Sequence, residues 1–61
     1  MKTRMFVSVA TLKPGDYVIP AQCTVTAVDH FRSLVIVDFA DGTATAPINP
    51  SEKVEILRRE A

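Results

Sequence analysis

The sequence predicts a small all-β domain of five to six strands, with a short helical turn before the last strand. Three observations carry this. Apolar and polar residues alternate with a period of two in several short runs, as half-buried strands do. A β-branched run, Leu34 to Phe39, leads into Asp41-Gly42, the strongest short-range hairpin signal a sequence offers. Pro and Gly punctuate the chain between these runs. With 61 residues there is room for a single domain, residues 1–61, and one core. A chain this short buries only about 60% of its unfolded surface, so its stability needs a supplement.

Each element has its own warrant. Residues 5–10 (Met-Phe-Val-Ser-Val-Ala) read as a first strand, ended by Leu12-Lys13-Pro14-Gly15-Asp16, where Pro presets one turn dihedral and Gly tolerates the next. Tyr17-Val18-Ile19 is a short second strand stopped by Pro20, which has no N–H to donate. Residues 22–28 alternate, with Cys23, Val25 and Ala27 on one face and Thr24 and Thr26 on the other, so Cys23 reads as a buried, inert thiol. The polar stretch Asp29-His30-Phe31-Arg32-Ser33 reads as a hairpin loop. Residues 34–39 return, Asp41-Gly42 turns the chain, and residues 43–48 alternate Thr with Ala until Pro47 and Pro50. Residues 50–59 admit two readings. Asn49-Pro50-Ser51-Glu52 carries the signals of a helix start, which would run to Arg59. The alternation of Lys53-Val54-Glu55-Ile56 favours a single turn followed by a strand.

Composition removes whole classes of function. Cys23 is the only cysteine and His30 the only histidine. An intrachain disulfide and a Cys/His metal cluster are thereby excluded, and neither metal nor cofactor is expected. Self-association remains the open supplement to the core. The longest apolar run, Leu34 to Val37, is far short of the roughly 20 residues of a bilayer-spanning helix, so no membrane role is expected. Met1-Lys2-Thr3-Arg4 is basic, but Ser8 and Thr11 interrupt what would be a signal peptide's apolar stretch, and the chain reads as cytoplasmic. Asp29 beside His30 invites an acid–base reading. Neighbours on extended chain point to opposite sides, however, and no nucleophile is placed near them, so the chain is not expected to be an enzyme and no catalytic residue is assigned.

What remains is contact chemistry. Val35, Val37 and Phe39 form one face of the fourth strand, with Leu34 and Ile36 on the other. The first strand repeats the pattern, with Met5, Val7 and Val9 opposite Phe6. Two apolar faces need two covers: one is the core, and the second is another copy of the chain, a partner protein, or the chain's own curvature and terminal segments. Phe6, Leu34 and Ile36 are therefore the expected interface residues, joined by Phe31 and Arg32 from the polar loop. An aromatic cage of Tyr17, Phe31 and Phe39 is the weaker reading, because Phe39 fits the core.

The pattern Leu12-x-x-Gly15-Asp16-x-Val18, two longer strands, the Asp41-Gly42 hairpin, a turn and a last short strand resembles SH3-like barrels of the KOW and Tudor type. The resemblance covers most of the chain and rests on turn spacing. It implies an SH3-like barrel, a fold whose members bind nucleic acid, modified lysines, peptides or ribosomal partners. First and last strands commonly neighbour each other in such barrels, which would gather Lys2, Arg4, Arg58 and Arg59 into one cationic patch. Nucleic-acid binding is accordingly the alternative function. Two features stand against it: Pro20-Ala21-Gln22 replaces the second KOW glycine, and seven cations balance seven anions. The brevity and lack of motifs also resemble small accessory reading frames of bacteriophages, which implies a host protein as partner.

Overall fold

The computed structural model describes residues 1–59. It contains five strands, β1 (Lys2–Ser8), β2 (Tyr17–Val18), β3 (Cys23–Phe31), β4 (Leu34–Phe39) and β5 (Lys53–Arg59), and a 3-10 turn at Val9–Thr11. All pairings are antiparallel, in the order β1-β5-β2-β3-β4. Residues from both ends of that order meet in one core of Val9, Leu12, Val18, Val25, Val35, Val37 and Ile56, so the sheet is folded over on itself. No helix is long and apolar enough to cross a membrane among the described residues.

The fold-over happens in β3. The register shifts between Val25, opposite Phe39, and Ala27, opposite Asp38. A bulge of this kind bends its strand and moves the following side chains to the other face. Val25 is buried, but beyond the bulge it is Val28, not Ala27, that packs on the core. The continuous Cys23/Val25/Ala27 face expected from alternation is therefore broken.

Four turns fix the rest. Lys13-Pro14-Gly15-Asp16 closes through Asp16 N donating to Lys13 O at 3.1 Å, with Gly15 at φ +98°, the backbone that Pro then Gly is built to supply. Ile19-Pro20-Ala21-Gln22 links β2 to β3, and Gln22 takes φ +54° where a glycine would be relaxed. Phe31 faces Leu34 directly, so the β3–β4 loop is only Arg32-Ser33 and not the five residues expected. After β4, Phe39 N donates to Thr43 O and Gly42 N to Phe39 O, with Gly42 at φ +90°. This is the three-residue hairpin loop with glycine in the left-handed position.

Three boundaries differ from the sequence reading. The first strand begins at Lys2. Residues 43–48 are not a sixth strand but make isolated bridges to β4, Asp38 with Ala44 and Val35 with Ile48, since Pro47 breaks any continuous ladder. The helical turn expected before the last strand is an Asx turn, in which Asn49 Oδ1 accepts from Ser51 N and Oγ and Asn49 O from Glu52 N. The 3-10 turn follows β1 instead, capped by Ser8 Oγ, which also donates to Pro50 O.

Candidate functional site

Three surfaces collect most of the side chains that lie outside the core. The first is the outer face of the β3–β4 hairpin. Cross-strand partners project to the same side, and here the pairs are Ala27 with Asp38, Asp29 with Ile36, and Phe31 with Leu34. Val35 and Val37 point into the core at 1% exposure each. Leu34 and Ile36 consequently point outward and are only half-buried, and Phe31 beside them is 58% exposed. The Arg32 guanidinium lies 5.6 Å from the centre of the Phe31 ring. Four of the five expected interface residues thus come together as an apolar strip with a cation at its tip, bordered by Asp29 and Asp38. Arg32 sits at φ +58° in the first position of a two-residue loop, where glycine is preferred; a left-handed non-glycine residue costs about 1–2 kcal/mol.

Phe6, the fifth, lies elsewhere. On β1 it faces Glu55, while Arg4 faces Leu57, which in turn faces Tyr17 of β2. These form the outer side of the β1-β5-β2 half; Met5, Ile56 and Val18 form its inner side. Phe6 is 67% exposed, and Arg4 Nε sits 3.4 Å from Glu55 Oε2.

The third surface is an open groove of 550 Å³ at the end of the same half, lined by Lys2, Lys13, Arg58 and Arg59 around Gly15 and Asp16. Three of the four residues expected in a terminal cationic patch meet here. Arg4 does not, because it points to Glu55. Lys13 joins them through the Pro14-Gly15 turn, and Lys2 Nζ sits 5.9 Å from the Tyr17 ring centre. Arg58 is committed inward: its Nε and Nη2 donate to Asp16 Oδ1 and Oδ2 at 3.0 and 2.7 Å, and Nη2 also donates to Thr11 O at 3.3 Å. Asp16 is buried, and its Oδ2 further accepts from Lys13 N at 2.9 Å. Burial pushes the Asp16 carboxyl up. The Arg58 fork, the Lys13 N–H and the two positive charges outweigh that and hold it below the ordinary carboxylate value. Sequence reading missed Asp16; a carboxylate that follows a Pro-Gly turn and leads into an apolar strand was its signal.

Other reactive side chains have local employment. Cys23 is half-buried at the start of β3, and its thiol donates to Asp41 Oδ2 at 3.3 Å. That bond, with burial and the carboxylate's charge, raises the thiol pKa, so the reactive thiolate is disfavoured. Asp41 itself is held low by Thr43, whose hydroxyl and backbone N–H both donate to Oδ1. His30 and Asp29 are consecutive and exposed on β3, with cross-strand partners on opposite faces. Among the described residues there is no grouping of three or more His, Cys, Asp or Glu able to hold a metal ion. Compared with protein-family models, curated proteins and solved structures, the chain matches none.

Proposed function

We propose that this chain is a non-enzymatic protein-interaction module that assembles with itself and offers the outer face of its β3–β4 hairpin to a partner protein. The observation that carries the reading is the strip of Phe31, Leu34 and Ile36 on a hairpin whose core side is already filled by Val35 and Val37. Apolar area left in water is worth about 25 cal/mol per Å² when covered, and a contiguous strip gains that on one docking event. Arg32 over Phe31 supplies a polar anchor at the tip, and aromatic residues and Arg are enriched at the cores of protein interfaces. The acidic border of Asp29 and Asp38 fits a partner whose apolar patch has a basic rim.

The strand order β5-β2-β3-β4, continued by the bridged segment 44–48, supports the SH3-like barrel reading, with β1 added outside β5. The resemblance to phage accessory frames makes a cytoplasmic host protein the partner to seek. Sedimentation velocity over a wide concentration range tests self-assembly, with a species heavier than the monomer expected and a monomer throughout overturning it. Affinity capture with the native chain and with Ile36→Lys tests the hairpin. Loss of a captured protein in the variant, at unchanged fold and mass, is the expected result; identical capture overturns the hairpin assignment.

One observation favours nucleic-acid binding as a second reading: Lys2, Lys13 and Arg59 border a single groove whose fourth cation, Arg58, is paired with Asp16, in a chain with no net charge. Such clustering attracts phosphates locally even without a global positive field. The expected signature is an electrophoretic shift at low salt that weakens in Lys13→Ala and Arg59→Ala, each reducing the salt slope by about 1. No shift with single-stranded or duplex nucleic acid removes this reading.

A further inference from the structure

We infer that two copies of the chain pair edge to edge through β1, antiparallel about a two-fold axis, in the register that centres on Met5. This rests on the self-assembly reading above and names its contact surface. The starting point is backbone parity. Val9 N donates to Glu52 O at 2.8 Å, and the β1–β5 register continues from that pair, Val7 with Val54 and Met5 with Ile56. In an antiparallel ladder the hydrogen-bonded pairs alternate. The N–H and C=O groups of Val7, Met5 and Thr3 therefore turn toward β5, and those of Ser8, Phe6, Arg4 and Lys2 turn away from it. Among the described residues no strand pairs with that outer side, because β1 ends the strand order. The opposite end of the order is closed: Val35 and Ile48 exchange both backbone bonds, and Thr45 N donates to Val37 O, so the edge of β4 is occupied. An open edge of this length is a template for another strand, and a second β1 is self-complementary about a two-fold axis.

Side chains select the register. Centring on Arg4 sets that guanidinium against its own copy, and like charges directly opposite are destabilising. Centring on Phe6 sets Lys2 against the partner subunit's Ala10, which lies in the 3-10 turn, and the ladder shortens. Centring on Met5 pairs the whole strand. Lys2 then meets the partner subunit's Ser8, where the ladder stops because the Thr11 hydroxyl already donates to the Ser8 carbonyl at 2.7 Å. Arg4 meets the partner subunit's Phe6, a cation beside an exposed ring, and this happens twice by symmetry. On the inner side Met5 meets its own copy and Thr3 meets the partner subunit's Val7. The half-buried Met5 and Val7, which pack on the core from the sheet's margin, gain cover.

Cysteine crosslinking in a Cys23→Ser background tests this. Directly opposed residues have Cα atoms about 4.5–5.5 Å apart, within disulfide reach, whereas residues one diagonal away exceed about 7 Å. Met5→Cys should form a covalent dimer about tenfold faster than Arg4→Cys or Phe6→Cys alone. Because Met5 touches the core, a second arm is used: Arg4→Cys mixed with Phe6→Cys should give the mixed dimer in preference to either self-dimer. Fastest self-crosslinking by Arg4→Cys or Phe6→Cys overturns the register. Slow crosslinking in every arm, with the uncrosslinked chain dimeric, overturns the β1 contact and leaves self-assembly standing. A monomeric mass for the uncrosslinked chain overturns both.

Discussion

The two halves of the sheet treat polarity in opposite ways. In the β1-β5-β2 half, the one buried charge among the described residues is enclosed: Asp16 accepts from Arg58 twice and from the Lys13 backbone, and so ties the Pro14-Gly15 turn to the last strand. In the β3–β4 half, apolar side chains face outward and a left-handed arginine forms the tip. The difference separates what the fold needs from what it leaves available. Asp16–Arg58 joins distant segments and leaves no buried side-chain polar atom without a partner among the described residues, while Phe31, Leu34 and Ile36 lie outside the core formed beneath them by Val35 and Val37.

That comparison breaks most sharply at Asp16. Asp16→Ala strands the partly buried Arg58 guanidinium and frees the turn, and should cost about 3 kcal/mol, read as a lowered urea midpoint. A loss within 0.5 kcal/mol, as at an ordinary surface site, would show that the network is decoration. The sign of the pH effect follows from the depressed Asp16 carboxyl. Its contribution is complete above the ordinary carboxylate pKa of about 4 and is lost as pH falls through the lower folded value. Acid titration of stability should therefore steepen below about pH 4 in the native chain and less so in Asp16→Ala.

Neighbours on β4 sharpen the contrast. Val37→Ala empties core volume and should cost about 2–3 kcal/mol, whereas Ile36→Ala, one residue away on the outer face, should cost under about 1 kcal/mol. Equal costs in thermal or urea unfolding would mean that Ile36 belongs to the core. At the tip, Arg32→Gly should stabilise by about 0.5–1 kcal/mol through relief of the left-handed backbone, less the added freedom of the unfolded chain. It should at the same time weaken any partner contact made by the Arg32–Phe31 pair, a divergence of stability from binding that calorimetry would register. Cys23→Ser keeps a donor to Asp41 and should change stability by less than about 0.5 kcal/mol.

Particular residues show what could be read before folding. Alternation and β-branched runs placed a strand at each of the five sites, and Pro14-Gly15 and Asp41-Gly42 located two of the turns, because these signals act within a few residues; the Thr/Ala alternation of residues 43–48 also suggested a strand where only isolated bridges form. The same locality misled at Ala27. A bulge is chosen by how β3 must bend between two sheet halves, and no residue near Thr26 announces it. Gln22 and Arg32 hold left-handed backbones that neither sequence position advertises, since the strands around them impose the turn. The candidate surfaces divide in the same way. Phe31 with Leu34 and Ile36 follows from strand pairing and was nearly legible. In the groove, the meeting of Lys2, Arg58 and Arg59 was expected from the neighbouring first and last strands, but the entry of Lys13 was not, because it arrives through a turn held by an ion pair between residues 42 positions apart.

By itself the sequence determined an all-β chain with more apolar strand faces than one core requires, because side-chain period and turn chemistry are local properties. Only the tertiary structure decided which faces the core took, that Arg58 would serve Asp16 and not solvent, and that Phe6 would part company with Leu34 and Ile36. Those outcomes depend on how the bent sheet brings residues from opposite ends of the chain into contact, and no local signal encodes that closure.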